Sequence, residues 1–417
     1  MLDKGIDNMK KLNIIGLGYI GLPTALSFAA AGVDVVGTDY NKEIVDTLNN
    51  GKTTFKEEGL DELYKRAINK GIEFSNKYIK TDRYIITVPT PYIKESKKLD
   101  AKYVISAVNS VLDICEKGTI LVIESTVSPG TMDKFVRPIV EERGFKIGED
   151  IHLVHAPERI IPGNMVYELK HNSRTIGSDN IEVGQMVRTW YKSFCEGDIV
   201  VTDIKTAELS KVVENTFRDI NIAFANELSR ICRRENMDVY ELIKIANKHP
   251  RVNILTPGPG VGGHCISVDP WFLVGDYPDL VNIIKAAREV NDSQPDFVID
   301  RIRDIMNENG ITDISKVGLY GLTYKENVDD MRESPTLQLL EKLERYFVKG
   351  IKVYDPWIQE KKVDNQHTNF ERFIDDVELV VVLVAHDHIK NNKESLKNKI
   401  VLDTKNIINF GRKVYKL

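Results

Sequence analysis

Apolar positions fall into short unbroken runs separated by helix-period stretches. The first run, Leu12-Asn13-Ile14-Ile15, passes straight into Gly16-Leu17-Gly18-Tyr19-Ile20-Gly21. A helical pattern follows through Ala25, Leu26, Phe28, Ala29 and Ala30, and Gly32 stands where a helix would be capped. A second run over residues 33–38 ends at Asp39. Runs over 84–88, 119–123 and 151–155 lead into Pro89-Thr90-Pro91, Glu124-Ser125-Thr126 and Ala156-Pro157-Glu158-Arg159. Short apolar runs alternating with helices predict a parallel, doubly wound sheet.

Residues 203–235 contain neither proline nor glycine and keep a helical apolar period through Leu209, Val212, Val213, Thr216, Phe217, Ile220, Phe224, Leu228 and Ile231. A helix of that length spans about 50 Å and can join two domains. Lys211, Asn215 and Arg218 share one of its faces, a polar stripe fit to look into a pocket. Another helix is predicted over 239–247, and a helical region from Trp271 through Ile283 to Val290. Runs over 316–322, 351–354, 379–384 and 400–403 then predict a second, smaller doubly wound unit. In it Ser334 and Pro335 mark a helix start. The predicted fold is α/β: two Rossmann-like domains, residues 1–203 and 301–417, joined by a long central helix and a helical middle domain, residues 204–300.

Composition narrows the partners. The 57 basic and 62 acidic residues leave a net charge of −5 without a long basic run, so nucleic acid is not expected. No apolar stretch is long enough to span a membrane. The start is polar, and Met9 offers a second in-frame initiation point beside Met1. Cys115, Cys195, Cys232 and Cys265 are widely spaced and form no Cys-x-x-Cys pair, which suits a reducing cytoplasm and argues against a metal site.

The glycine-rich turn carries the clearest chemistry. Gly16 makes the tight turn, Gly18 admits a pyrophosphate, and Gly21 lets helix and strand pack closely. Tyr19 and Ile20 lie between them, at a helix N-terminus that favours negative charge. Asp39 stands 18 residues after Gly21, where an acid accepts from ribose hydroxyls and repels a 2′-phosphate; NAD is therefore expected over NADP. Thr90, Thr126 and Glu158 all follow strand ends, where open sheets bind ligands. In Gly258-Pro259-Gly260-Val261-Gly262-Gly263-His264-Cys265-Ile266-Ser267-Val268-Asp269-Pro270, too irregular for helix or strand, Cys265 is either a presented thiol or a buried structural one. Asp269 either caps the next helix or orients a water or a lysine, and His264 is assigned to loop structure or substrate contact. Lys325 and Arg332, after the second glycine turn, are candidate phosphate or ribose partners.

Taken in order, seven motifs carry a resemblance over nearly the whole chain to the UDP-glucose/GDP-mannose dehydrogenase family. They are Gly16-x-Gly18-x-x-Gly21, Val88-Pro89-Thr90-Pro91, Glu124-Ser125-Thr126, Pro157-Glu158-Arg159, Lys211-x-x-x-Asn215, Gly262-Gly263-His264-Cys265, and the run from Gly321-Leu322-Thr323-Tyr324-Lys325 to Arg332-Glu333-Ser334-Pro335. The resemblance implies a four-electron, NAD-dependent oxidation of a UDP-sugar at its six-position. Cys265 would form a thiohemiacetal and then a thioester, and Lys211 would serve as acid/base. Thr126, Glu158, Asn215 and Asp269 would support the oxyanion or the water. Arg159, Ile160, Lys211, Asn215, Arg218, His249, Arg251, Gly262, Tyr324, Lys325 and Lys405 match substrate-contacting regions, and Arg332 matches a residue that touches NAD.

Arg159-Ile160-Ile161-Pro162 and Val268 depart from the UDP-glucose branch and argue against that sugar, and the loop over 159–163 would make room for an acetamido group; the likeness within the family, carried by residues 157–163 and 260–272, implies UDP-N-acetyl-D-mannosamine first. UDP-N-acetylglucosamine and UDP-glucose stand as alternatives. A two-electron hydroxy acid dehydrogenase would not need Cys265 or the second nucleotide-like domain, and a non-enzymatic nucleotide-sugar sensor would lack Lys211 or Cys265. A homodimer or homotetramer is expected, with Arg251 reaching the neighbouring subunit's site.

Overall fold

The computed structural model describes residues 11–263, 265–346 and 348–417. His264, Met1 and Met9 lie outside the described residues. The chain divides into two units, Met1–Val213 and Glu214–Leu417.

Among the described residues the first unit is built on eight strands: β1 (Leu12–Ile15), β2 (Val35–Thr38), β3 (Glu73–Ser75), β4 (Arg83–Ile86), β5 (Thr119–Ile123), β6 (Ile151–His155), β7 (Arg174–Ser178) and β8 (Ile199–Thr202). Their order is β3-β2-β1-β4-β5-β6-β7-β8. Pairing is parallel except between β6 and β7, where His155 opposes Gly177. The central strands are buried on both faces, which is why they read as continuous apolar runs. Helix Gly21–Ala30 packs its apolar residues into the same core as β1. It ends as expected at Gly32, whose φ of +93° lets the Val33 N–H return to the Phe28 carbonyl.

Among the described residues the second unit holds six strands: β9 (Val317–Tyr320), β10 (Lys352–Tyr354), β11 (Gln366–His367), β12 (Leu379–Val382), β13 (Ile400–Asp403) and β14 (Lys413–Lys416). They are all parallel, in the order β11-β10-β9-β12-β13-β14. Renumbered from one, this is 3-2-1-4-5-6, the order of the first six strands of the other sheet and of dinucleotide-binding folds in general. Both units are therefore doubly wound α/β, as the patterning predicts. Strands β3, β7, β8, β11 and β14 have no counterpart among the predicted runs.

Helix Ile204–Arg234 is one residue shorter at each end than predicted. Its faces are unusual. Leu209, Val213, Phe217, Phe224 and Ile231 are exposed, whereas Glu208, Lys211, Asn215, Asp219, Asn226 and Ser229 are buried. The polar stripe turns inward through Asp219; Arg218 is exposed. The helical region expected from Trp271 to Val290 is two helices, Asp269–Asp276 and Asn282–Asp292. The break contains Pro278, which cannot continue a helix interior. No helix among the described residues is long and apolar enough to cross a membrane.

Candidate active site

The glycine turn after β1 explains each of its glycines. Gly16 sits at φ +93° with the Thr87 carbonyl 2.9 Å from where its Cβ would be. A Cβ on Gly21 would lie 1.8 Å from the Gly16 carbonyl oxygen and 2.2 Å from Thr87 Oγ1. A Cβ on Gly18 would meet nothing within 4 Å, and Gly18 is exposed. The turn is therefore closed by packing at its two ends and open in the middle, at the N-terminus of helix Gly21–Ala30. Asp39 follows β2 and braces the turn: its carboxylate accepts from the Leu17 N–H at 2.7 Å and the Asn41 N–H at 2.9 Å. Tyr19 packs against Phe55 with ring centroids 4.5 Å apart. Thr90 is buried after β4. An open cradle, a helix N-terminus and an acid after the second strand fit NAD.

Two more loops leave this edge. After β5, Ser125 Oγ donates to the Val88 carbonyl at 2.6 Å, and Thr126 is half-buried beside it. The Gly130 and Met132 N–H groups donate to Glu208 of the long helix at 2.7 and 2.9 Å. After β6, Glu158 is buried; its Oε1 accepts from the Arg159 N–H at 2.7 Å and its Oε2 from Arg174 Nη2. Arg174 Nη1 donates to Glu124 Oε1 at 3.2 Å. Arg159 donates from its guanidinium to the Ser173 carbonyl at 2.6 Å and Thr175 Oγ1 at 3.0 Å. Ile160 packs in a small apolar cluster with Met165, Leu169, Tyr19 and Ile20. Lys211, on the first unit's part of the long helix, is 6% exposed.

In the second unit the long helix holds the cysteine loop by its asparagines. Asn215 Nδ2 donates to Asp269 Oδ2 at 2.6 Å. Asn221 donates to the Asn253 carbonyl and accepts from the Leu255 N–H, at 2.8 and 2.9 Å. Asn226 accepts from the Gly258 N–H at 3.0 Å. The loop then folds on itself: Val268 and Asp269 N–H groups donate to the Cys265 carbonyl at 3.1 and 2.8 Å. Asp269 is the first residue of its helix and is buried, while Cys265 is exposed. The glycines before the thiol are set by contact. A Cβ on Gly262 would lie 2.6 Å from the Glu333 carbonyl oxygen, and one on Gly263 would lie 2.8 Å from the Tyr324 ring.

The turn after β9 adds the remaining candidate residues of the second unit. Tyr324 and Lys325 are half-buried, and Arg332 is bound to Asp330 at 2.6 Å. Lys405 Nζ approaches Gly258, and burial lowers its pKa. The structure thus brings Asn215, Asp269 and Cys265 together, Gly262 against the segments carrying Tyr324 and Arg332, and Lys405 beside Gly258. Arg218, His249 and Arg251 are exposed and do not join them.

Sequence reasoning missed Arg174, Glu124, Glu208, Asn221 and Asn226 as parts of this machinery. Glu124 stands inside the Glu124-Ser125-Thr126 motif with no role of its own in the sequence. A charged residue opening a strand, as Arg174 does, is the one local signal that could have drawn attention. Burial raises the Glu124 carboxyl from 4.5 to about 7 against the pull of Arg174.

Comparison with known proteins follows the same outline. The chain matches the UDP-glucose/GDP-mannose dehydrogenase family in its NAD binding domain over residues 10–195, its central domain over 205–293 and its UDP binding domain over 318–410. A UDP-N-acetyl-D-mannosamine dehydrogenase of Methanococcus vannielii is 43% identical over 415 residues, covering 97% of this chain and 94% of its own. The solved UDP-N-acetyl-mannosamine dehydrogenase of Staphylococcus aureus is 41% identical with a TM-score of 0.86, over 98% of both chains. The UDP-D-ManNAc dehydrogenase structure from Pyrococcus horikoshii is 34% identical with a TM-score of 0.88, again over 98% of both.

Proposed function

The chain belongs to the UDP-glucose/GDP-mannose dehydrogenase family, and from that premise we propose that it oxidises UDP-N-acetyl-D-mannosamine to the corresponding uronate in two NAD-dependent steps. The observation that carries the reading is the cysteine loop. An exposed thiol stands on a loop whose backbone is fixed by Asp269, and Asp269 is fixed in turn by Asn215 of the long helix. The relatives that bear the N-acetylmannosamine name cover almost the full chain.

Bound in the cradle of Gly16, Gly18, Gly21 and Asp39, NAD supplies the acceptor for both oxidations. Lys211 takes the proton from the sugar's six-hydroxyl as the alcohol becomes an aldehyde. Cys265 adds its sulfur to that aldehyde carbon and forms a thiohemiacetal, which the second oxidation turns into a thioester. Asn215, with Thr126, donates to the developing oxyanion; one such donor contributes about 3 kcal/mol. Asp269 and Glu158 orient the water that releases the carboxylate and returns the thiol. Tyr324, Lys325 and Lys405 hold the nucleotide end of the substrate.

The apolar row Leu209, Val213, Phe217, Phe224 and Ile231 supports a homodimer through the long helix, with Arg251 reaching the neighbouring site. Cys115, Cys195, Cys232 and Cys265 form no disulfide among the described residues, which suits a cytoplasmic setting. The test is stoichiometry. Limiting UDP-N-acetyl-D-mannosamine with excess NAD should yield two NADH per sugar, and UDP-glucose and UDP-N-acetylglucosamine should react far more slowly. One NADH per sugar rejects the four-electron reaction; faster turnover of another sugar rejects the substrate.

A further inference from the structure

One buried charge cluster of the first unit has no part in the mechanism above except through Glu158. Arg174, Glu124 and Glu158 are 3%, 1% and 5% exposed. One cation serves two carboxylates, with one guanidinium nitrogen on each. The guanidinium carbon also lies 4.4 Å from the centre of the Tyr191 ring and 5.6 Å from that of Phe194. A second strap runs the other way: the Arg159 guanidinium holds Ser173 and Thr175, the neighbours of Arg174 in sequence. The pair Glu158-Arg159 is thereby stitched to the start of β7 by two crossed arginines.

We infer that Arg174 is the positioning residue of Glu158, fixing its carboxylate at the end of β6, and that Glu124 is a second carboxyl drawing on the same guanidinium. The inference rests on the reading of Glu158 as a residue of the reacting edge. Both oxygens of Glu158 are engaged, one by the Arg159 N–H and one by Arg174, so its orientation is fully determined. Glu124 differs. Its Oε1 takes Arg174 and, at 3.5 Å, the Thr24 hydroxyl of helix Gly21–Ala30. Its Oε2 is buried beside the Tyr191 phenol, with no hydrogen bond of ordinary geometry among the described residues. An ion pair that served packing alone would need one carboxylate, and a buried pair can be exchanged for apolar residues without loss of stability.

The charge balance explains why the third group matters. With Glu124 protonated the cluster is neutral and Arg174 belongs to Glu158. With Glu124 ionised the cluster holds a net negative charge away from water, and the guanidinium is shared. The groups facing Glu124 are Arg174 on β7, Glu158 after β6 and the Tyr191 phenol, while His155, opposite Ile123 on β6, is kept neutral by burial. Desolvation, set against Arg174 and reinforced by Glu158, brings the Glu124 carboxyl to about 7. Because Glu124 also meets Thr24, the switch touches the helix that opens at the NAD cradle.

The test compares Arg174→Met, Arg174→Lys, Glu124→Gln and Glu158→Gln in the full-length protein, measuring NAD affinity, kcat and KM for the UDP-sugar, and the pH profile of kcat. Arg174→Met should lower kcat about a hundredfold with NAD affinity unchanged, because a carboxylate displaced by an ångström is out of place. Arg174→Lys should recover part of that loss, since a single cation can still hold one carboxylate. Glu124→Gln should remove an inflection near pH 7 that the wild type has. Wild-type kcat in Arg174→Met while Glu158→Gln is inactive would overturn the inference, as would parallel loss of kcat and NAD affinity or an unchanged inflection in Glu124→Gln. Wild-type kcat in Glu158→Gln removes the reading of Glu158 itself, and the inference with it.

Discussion

The two sheets share one strand order but not one turn. In the first, β1 runs into Gly16-Leu17-Gly18-Tyr19-Ile20-Gly21; in the second, β9 runs into Gly321-Leu322-Thr323-Tyr324-Lys325-Glu326. Both turns open on a glycine with positive φ, +93° and +103°. Both are braced by an acid after the next strand. Asp39 takes the Leu17 and Asn41 N–H groups, and Asp355 takes those of Leu322 and Trp357. The difference lies at the third position. Gly18 faces open space, while Thr323 is fully buried, donates to the Lys325 carbonyl and meets His386 Nε2 at 3.2 Å. The space that would admit a pyrophosphate in one turn is filled by a threonine–histidine–aspartate network in the other. The same backbone device thus serves a dinucleotide once, and elsewhere sets a loop bearing Tyr324 and Lys325.

The largest effect should come from removing the second brace. Asp355→Ala would strip acceptors from the buried Leu322 and Thr323 N–H groups, from the Trp357 N–H and from the buried His386 ring. A loss of about 3–5 kcal/mol is expected in denaturant unfolding, against about 1–2 kcal/mol for Asp39→Ala in the more open turn. Equal losses would mean that the two turns are braced alike. Next comes Gly21→Ala. Its methyl group has no room beside the Gly16 carbonyl, so about 1–3 kcal/mol of stability should go, together with NAD binding in a cofactor titration. Glu326→Ala, at the matching position of the second turn, should change stability by less than about 0.5 kcal/mol.

A smaller effect separates the units by pH. Glu124 of the first unit carries a raised pKa, so folding favours its protonated form. The penalty for ionising it accrues as pH rises from 4.5 to about 7. Asp355 of the second unit is shifted the other way: burial pushes its pKa up, but His386 and the backbone donors outweigh this and hold it below 3.8. Its contribution is present above the ordinary carboxylate range and is lost as pH falls through the folded value. Melting followed from pH 8 to 5 should therefore show a gain in stability that Glu124→Gln lacks and that Asp355 does not affect.

What could be read from sequence was what a few consecutive residues specify. The Gly16–Gly21 turn, the Gly32 cap and the Ser334–Pro335 helix start are local devices, and they stand where the pattern put them. Strand β7 was invisible because it opens on Arg174, whose burial makes sense only once Glu124 and Glu158 arrive from other strands. Edge strands β3 and β14 are too polar to stand out. The polar stripe on the long helix is legible as facing a pocket, and Lys211 and Asn215 do turn inward while Arg218 does not; its partners are not legible. Glu208, Asn215, Asn221 and Asn226 clamp loops distant in sequence, and no periodicity encodes a partner so far along the chain.

The contrast between the turns can be tested by transplanting one residue. Gly18→Thr places the second turn's threonine in the first, where nothing lies within 4 Å of the new Cβ, so the unliganded protein should melt as the wild type does. Calorimetric titration of that variant with NAD and with UDP is the most direct measurement. The expected result is loss of NAD binding with UDP binding intact. Wild-type NAD affinity in the variant, or loss of both ligands together, would contradict the assignment of the open turn to the cofactor.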